Sequence, residues 1–394
     1  MLARMAPKSF DRRSALAFII AFGIVSLFAD MAYEGMRGLN GEFLASLGAS
    51  GAAVGVIAGG GELIGYLLRL VSGRIAQRTG AYWPLAIGGY ALTMVSVPAM
   101  AFVFNWQTAA LFVVLERAGK ATRSPATNTM QSRAGDHIGQ GWAFGLQEAL
   151  DQTGAIIGPL ITSYVLARHG DYRAAYAWLA VPAFLTMLSV AVISVRYAYA
   201  GRVVQTTVGE DAPVLSSAFW LYTLSASLLG FGIADFSLIA FHFTQASIIS
   251  KAAIPVFYAI AMGSSGAGAL LFGMLFDRRG LVALVPVILL GAAATPLVFL
   301  GHWSAALAGT ILWGMTMGTQ TALMSASIAK IVPEKMRARA YGLFSAIYGT
   351  AWFLGSALLG ILYDYSFVAL AVVAVIAQLL SIVPLLATVR ALRR

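Results

Sequence analysis

Long apolar runs alternate with short polar breaks from residue 15 to residue 389. A helix that crosses the hydrocarbon core of a bilayer needs about 20 mainly apolar residues. Twelve segments meet that need, at 15–37, 51–72, 82–104, 108–130, 142–166, 174–195, 216–240, 253–275, 281–300, 304–328, 339–362 and 366–389. The longest polar stretch, 196–215, separates the sixth from the seventh. The pattern predicts an all-α membrane protein of twelve transmembrane helices in two pseudo-symmetric six-helix bundles. Residues 1–195 form the first bundle, 196–215 a cytoplasmic linker and 216–394 the second.

Composition leaves little choice of solvent. The chain is 59% hydrophobic and 11% charged over 394 residues, with a mean hydropathy of +0.81. Soluble domains run about 45–50% apolar and about 25% charged, and a single soluble core stops growing near about 250–300 residues. A soluble enzyme, a disordered chain and a fibrous protein are therefore excluded. The 41 glycines suit helices packed closely in lipid. Absence of cysteine removes disulfides, thiolate metal sites and cysteine nucleophiles.

A net charge of +10 would suggest nucleic acid in a soluble protein. Here its placement explains it. With twelve spans, both termini and every even-numbered loop share one side, and 19 of the 26 Lys and Arg fall there, counting Arg69 and Arg339 at the adjoining span ends. The opposite loops hold three, Arg168, Arg173 and Lys251, and four more, Arg37, Arg117, Lys120 and Arg123, lie elsewhere within the spans. Cytoplasmic loops collect Lys and Arg, so both termini are expected on the cytoplasmic side of the inner (plasma) membrane, with no nucleic-acid partner. The basic flank MLARMAPKSFDRRS has no small-residue cleavage site after it and reads as the retained start of the first span.

The halves repeat each other. Gly73-Arg-Ile-Ala-Gln-Arg-Thr-Gly80 follows the second span and Gly273-Met-Leu-Phe-Asp-Arg-Arg-Gly280 the eighth, 200 residues on. Ala143-Phe-Gly-Leu146 and Ala340-Tyr-Gly-Leu343 open the fifth and eleventh spans, 197 residues apart, as Trp106 and Trp303 also are. Ala29-Asp30 is echoed by Ala234-Asp235. Repeats of this kind build carriers whose halves rock about a site near the midplane.

Twelve spans in two halves, with a G-x-L-x-D-R-x-G type loop after spans two and eight, resemble the major facilitator superfamily. The resemblance covers essentially the whole chain and implies solute transport by alternating access. It assigns Gly73, Arg74, Arg78 and Gly80, with Gly273, Asp277, Arg278 and Gly280, to a cytoplasmic gate that latches the halves. Gln77 stands where the first copy would carry its acid. The segment Glu116 to Pro125 is similar to the fourth helix of many bacterial members. Gly154-Ala-Ile-Ile-Gly158-Pro159 resembles the G-x-x-x-G-P motif of the superfamily's antiporters. Physically, the two glycines allow close helix approach and the proline bends the helix, which would seal the outer end; ordinary tight packing is the alternative.

Charges inside the spans carry the candidate chemistry, because each costs about 2.5–3.5 kcal/mol at the helix centre on insertion scales. Asp30, Glu34 and Arg37 share one face of span one at i, i+4 and i+7, with Tyr33 beside them. They read as a cavity-facing acid pair with a counter-charge, or as an ion-pair ladder that only joins helices. Span four carries Glu116, Arg117, Lys120 and Arg123. Arg117 and Lys120 are expected at the cavity, while Arg123 can snorkel to the cytoplasm. In the superfamily a basic residue of the fourth helix senses substrate or modulates a carboxylate, which the resemblance carries to Arg117 or Lys120.

Span five has Gln147, Glu148, Asp151 and Gln152. Two carboxylates at i, i+3 cannot both ionise cheaply, a property that suits a proton carrier; neutralisation by Lys120 or Arg123 is the plain alternative. Glu62 finds a candidate partner at i+7 in Arg69. In the second half, Asp235, Trp313 and Trp352 could line a cavity, although packing is the simpler role for the tryptophans. His242 reads as structural.

Walker, zinc-protease and nucleophile-elbow motifs are absent, and the four histidines are scattered, so no cofactor and no transition-metal site are expected; Asp30 and Glu34 could hold a hard cation. The expectation is a monomeric secondary transporter, not an enzyme, whose partners are a small organic solute, protons and the bilayer. Glu148, Asp151, Asp30 and Glu34 would couple protons. Arg37, Glu62, Arg117, Lys120, Arg123, Asp235, Trp313 and Trp352 would line the substrate cavity. The antiporter-like motif favours proton-coupled export. Proton-coupled import of a nutrient or siderophore-like solute is the alternative. An intramembrane enzyme or a channel would need no matching halves.

Overall fold

A computed structural model describes residues 10–201, 215–333 and 336–392. Residues 202–214 of the expected linker lie outside the described residues. Fourteen α-helices are described: α1 (Arg12–Ser46), α2 (Gly51–Thr79), α3 (Tyr82–Ala99), α4 (Trp106–Ile138), α5 (Gln140–His169), α6 (Tyr172–Trp178), α7 (Ala180–Arg196), α8 (Ser217–Phe231), α9 (Phe236–Gln245), α10 (Ile254–Arg279), α11 (Leu284–Leu300), α12 (Trp303–Ile331), α13 (Arg337–Tyr365) and α14 (Phe367–Ala391). They cover all twelve expected spans. Span six divides at Leu179 into α6 and α7, and span seven divides at 232–235 into α8 and α9.

Local chemistry sets the helix ends. Asp11 and Ser14 form a reciprocal capping box at the start of α1. Side-chain oxygens of Ser50, Asn105 and Ser366 accept from Ala53, Thr108 and Ala369 N–H at 3.1, 2.8 and 3.2 Å. Gly80, with φ 68°, ends α2 in the left-handed region that glycine adopts without strain.

Among the described residues, eight stretches are long and apolar enough to cross a membrane. One of them, Lys251–Leu300, spans 50 residues and contains both α10 and α11. The remaining expected spans correspond to α4, α5 and α12, whose interiors are more polar.

Within the first half, α1 packs along α5 and α3 along α4; within the second, α10 packs along α12 and α8 along α14. Three seams join the halves: α2 with α13, α5 with α10, and α1 with α9. At the end of the molecule away from the termini these seams are tight. A Cβ at Gly51 would meet Tyr363, and one at Gly59 would meet Ser356 and the Phe353 backbone. One at Gly41 would collide with the Ser237 carbonyl. Toward the termini, among the described residues, a Cβ built at Gly73 would meet only Pro125 of its own half and one at Gly273 would meet nothing within 4 Å, while one at Gly342 of α13 would still lie 3.3 Å from Leu70 of α2.

Candidate functional site

The charged side chains of α1, α2 and α4 meet at one level inside the first half. Glu34 Oε1 pairs with Arg37 Nη1 at 3.1 Å. Arg37 Nη2 reaches Glu62 Oε1 on α2 at 2.8 Å, and the same oxygen accepts from Arg117 Nη1 on α4 at 2.9 Å. Arg117 Nε lies 3.5 Å from Glu116 Oε2. Glu116 is buried, and neither of its oxygens has a hydrogen-bond partner among the described residues.

The partner of Glu62 is a correction. Arg69, seven residues along α2, stands over the Tyr66 ring at 5.6 Å instead. Seven residues of helix rise about 10 Å, which carries Arg69 toward the termini. Arg37 and Arg117 arrive from neighbouring helices at the level of Glu62.

A second cluster lies where α1, α4 and α5 meet. Lys120 Nζ is 2.8 Å from the Tyr33 hydroxyl and 4.0 Å from the centre of its ring. Arg123 does not reach out of the bundle: it is buried, and its guanidinium stacks 4.3 Å from the Tyr90 ring centre, with no hydrogen-bond partner for Nε. Buried Asp30 has Tyr33, Lys120 and Asp151 as polar neighbours. Asp151 Oδ1 accepts from Gln147 Nε2 at 2.8 Å, and that amide also contacts Ser26 Oγ. Among the described residues, no ion pair within 4.0 Å joins Lys120 or Arg123 to a carboxylate. Glu148 is exposed and accepts from Gln152 Nε2 at 2.9 Å.

Helix packing brings this cluster together. Gly154 and Gly158 sit against the carbonyl oxygens of Leu27 and Met31, where any Cβ would collide, and the Asp30 Cβ would lie 3.0 Å from a Cβ at Gly154. The spacing of these two glycines thus sets how near Asp151, one turn away on α5, comes to Asp30. A Cβ built at Gly38 of α1 would lie 3.6 Å from Pro159 Cβ.

The second half closes the site. Tyr258 of α10 donates its hydroxyl to Glu34 Oε2, linking the halves through a residue the sequence pattern did not single out. Asp235 Oδ2 accepts from Ser356 Oγ at 2.7 Å and Trp352 Nε1 at 3.0 Å. These bonds occupy the carboxylate at the start of α9, so it makes no cap to its own helix. Side chains meet two of the carbonyls at the helix break. Gln378 Nε2 donates to Gly232 O and Trp313 Nε1 to Ala234 O, each at 2.8 Å. Broken helices at membrane depth need such partners. Buried His242 contacts the Tyr363 hydroxyl at 3.2 Å.

The gate residues lie apart from both clusters. Asp277 and Arg278 are exposed, as Arg74 and Arg78 are. Asp277 has no ion pair among the described residues. Gly80 and Gly280 both hold positive φ, 68° and 63°, at the ends of α2 and α10, but their ψ angles differ, 11° and −145°, so each copy of the loop stops its helix at a glycine in a different conformation.

Comparison with known proteins agrees with this architecture. The family model for the Major Facilitator Superfamily matches residues 14–301 and 215–393. An uncharacterized protein of Mycobacterium tuberculosis is 37% identical over 388 residues, covering 95% of this chain and 93% of the relative. An uncharacterized MFS-type transporter of Methanocaldococcus jannaschii is 23% identical over 358 residues, 88% of this chain and 89% of that one. Among solved structures, the nucleoside transporter NupG superposes with a TM-score of 0.72 at 15% identity, over 96% of this chain and 99% of that one. A variant of the peptide transporter POT superposes with a TM-score of 0.76 at 12% identity, over 97% and 99%. The fold, the repeated halves and the family match lead to one conclusion: the chain belongs to the major facilitator superfamily, as a multi-pass membrane protein that moves small-molecule solutes by secondary transport.

Proposed function

We propose that the chain is a proton-coupled exporter of a small organic solute in the inner membrane, with both termini cytoplasmic and with residues 1–195 and 216–394 as its two moving halves. The observation that carries this reading is the α1–α4–α5 cluster. Asp30 and Asp151 lie near Lys120 and Arg123, yet none of the four is committed to an ion pair. Uncommitted carboxyls inside a membrane protein can take up and release protons at small structural cost. Moving one charge across 100 mV supplies about 2.3 kcal/mol, enough for a solute gradient of roughly fiftyfold at 1.4 kcal/mol per decade. The tight seam at Gly154 and Gly158, which resembles the antiporters' motif, supports export.

One observation favours a second reading. A proton on Asp30 or Asp151 would leave Lys120 and Arg123 free to hold an anionic solute, so that proton and anion move together, as in an importer. Transport into inverted vesicles and into right-side-out vesicles, screened over anionic and cationic solutes with an imposed pH gradient, separates the two. Solute moving against the proton flux supports export by antiport. Solute moving with it replaces that reading with symport. Indifference to the gradient in both vesicle types refutes proton coupling.

A further inference from the structure

Asp364 ends α13 at the closed end of the molecule. Among the described residues its carboxylate makes no side-chain bond within its own half. Its Oδ1 accepts from the Gly51 N–H at 2.8 Å and its Oδ2 from the Ala52 N–H at 2.9 Å, both at the N-terminus of α2 in the other half. The third free N–H of that helix, Ala53, is taken by Ser50 of its own chain segment. The first four N–H groups of a helix have no partner inside it, and they favour a nearby anion through both hydrogen bonds and the helix dipole. A carboxylate in the second half therefore caps a helix of the first, with one oxygen for each donor.

We propose that Asp364 is the latch of the outer gate: it holds the end away from the termini shut, and the transport cycle must release it before that end can open. The proposal rests on alternating access as the mode of transport and not on its direction or coupling ion.

Three features of the surrounding chain fit a latch. Below the cap, α2 presents Gly51, Gly55 and Gly59 to α13. A Cβ at Gly55 would meet the Ser356 carbonyl and Gly360, and one at Gly51 would meet Asp364 itself at 2.8 Å. The glycines bring α13 close enough for its last acid to reach the α2 backbone. Second, the donors are main-chain N–H groups of residues next to a short loop, so the bond forms only when the two helix ends meet. Third, the repeat gives an internal control. The offset of 197 residues places Ala167 of α5 where α13 has Asp364. The matching position carries no carboxylate, and the seam is joined near it by Ser163 Oγ donating to Ala252 O at 2.6 Å. Two seams of similar descent thus close the same end, and one of them carries a charged cap.

Spin-label distances test the latch without a known substrate. The chain has no cysteine, so Ser46→Cys and Val368→Cys, exposed positions at the closed end of the two halves, report gate opening in the full-length protein. Gln77→Cys with Arg278→Cys reports the opposite end. In the otherwise unchanged chain the 46–368 distance should be short and narrow. Asp364→Ala should raise the ratio of long to short distances by roughly tenfold, equivalent to about 1.4 kcal/mol. Asp364→Asn, which keeps the size and one acceptor, should fall between. Ser50→Ala weakens the same helix end within one half and should leave the ratio unchanged.

Long distances in Ser50→Ala equal to those in Asp364→Ala would overturn the latch, because they would show a general loosening of α2. An unchanged 46–368 distribution in Asp364→Ala would also overturn it; should that variant fail to purify as a single species, the same result in Asp364→Asn decides. Movement of the 77–278 pair under other conditions then tells whether alternating access stands without the latch or falls with it.

Discussion

Glu62 is the hub of the charged network, and its neutral isostere is the most informative perturbation of the fold. One carboxylate oxygen accepts from Arg37 at 2.8 Å and from Arg117 at 2.9 Å. Glu62→Gln keeps the shape and removes the charge, which leaves two guanidinium groups short of a partner. Removing one member of a buried ion pair costs about 3–5 kcal/mol when the other is left unpaired. Two facts reduce that figure here. The three side chains keep 12–23% of their exposure, and each arginine retains a second carboxylate, Glu34 at 3.1 Å and Glu116 at 3.5 Å. A loss of about 2 kcal/mol follows, or a fall of roughly 4 °C in detergent melting at about 2 °C per kcal/mol. Combining Glu62→Gln with Arg117→Met should cost less than the two changes added, by about 1 kcal/mol, as expected for groups in one network. Glu62→Gln melting with the unaltered protein, or strict additivity in the double variant, would refute the three-helix network.

The remaining expectations concern transport and the helix break. Asp30→Asn and Asp151→Asn should each abolish the response of vesicle transport to a pH gradient, while Glu148→Gln, at an exposed position, should keep most of it; coupling intact in both asparagine variants would remove these carboxyls from the proton path. Lys120→Met should raise the half-saturating concentration of an anionic solute roughly tenfold, from the loss of a charge-assisted hydrogen bond of about 1.5 kcal/mol, without lowering the melting temperature. A lower melting temperature with unchanged solute affinity would make Lys120 structural. Trp313→Phe keeps the ring contact with Phe236 but leaves the Ala234 carbonyl without its donor, and should destabilise by about 1–3 kcal/mol, with faster amide exchange at 232–237 by mass spectrometry. Exchange unchanged there would mean that water already serves that carbonyl.

Hydropathy made the course of the chain legible because spanning a bilayer fixes a length and a polarity that few side chains can alter. Asp30, Glu34, Arg37 and Arg117 stood out for the same reason: a charge among apolar residues is conspicuous in one dimension. Glu34 and Arg37 were legible as partners on one helix face, whereas the pairing between helices was not. Arg69 lies on the helix of Glu62, whereas Arg37 and Arg117 lie 25 and 55 residues away in sequence, and only packing brings them level. Tyr258 gave no signal, being one aromatic among many apolar neighbours. Asp364 lay at the boundary of a predicted span, where an acid is ordinary. The glycines at 51, 55 and 59 were a usable sign, since small residues four apart mark a helix face meant for close contact. The division of span seven escaped the hydropathy pattern because Gly230, Gly232 and Asp235 interrupt a run that stays apolar on average.

That division separates inheritance from mechanics. By descent α9 belongs to the second copy of the repeat, as α8 does. The backbone of α9 runs beside α1 and α2, while its aromatic side chains also meet α10, α11 and α13 of its own copy; α8 lies against α13 and α14. The joint between them, at 232–235, hangs from Trp313 and Gln378, two side chains of the second copy. Ten residues of one copy are thus wedged between it and the other on a short, side-chain-braced tether. If the two halves swing apart as proposed, α9 must either leave α1 and α2 or stay behind and flex the tether at Gly232–Asp235, inside a helix span.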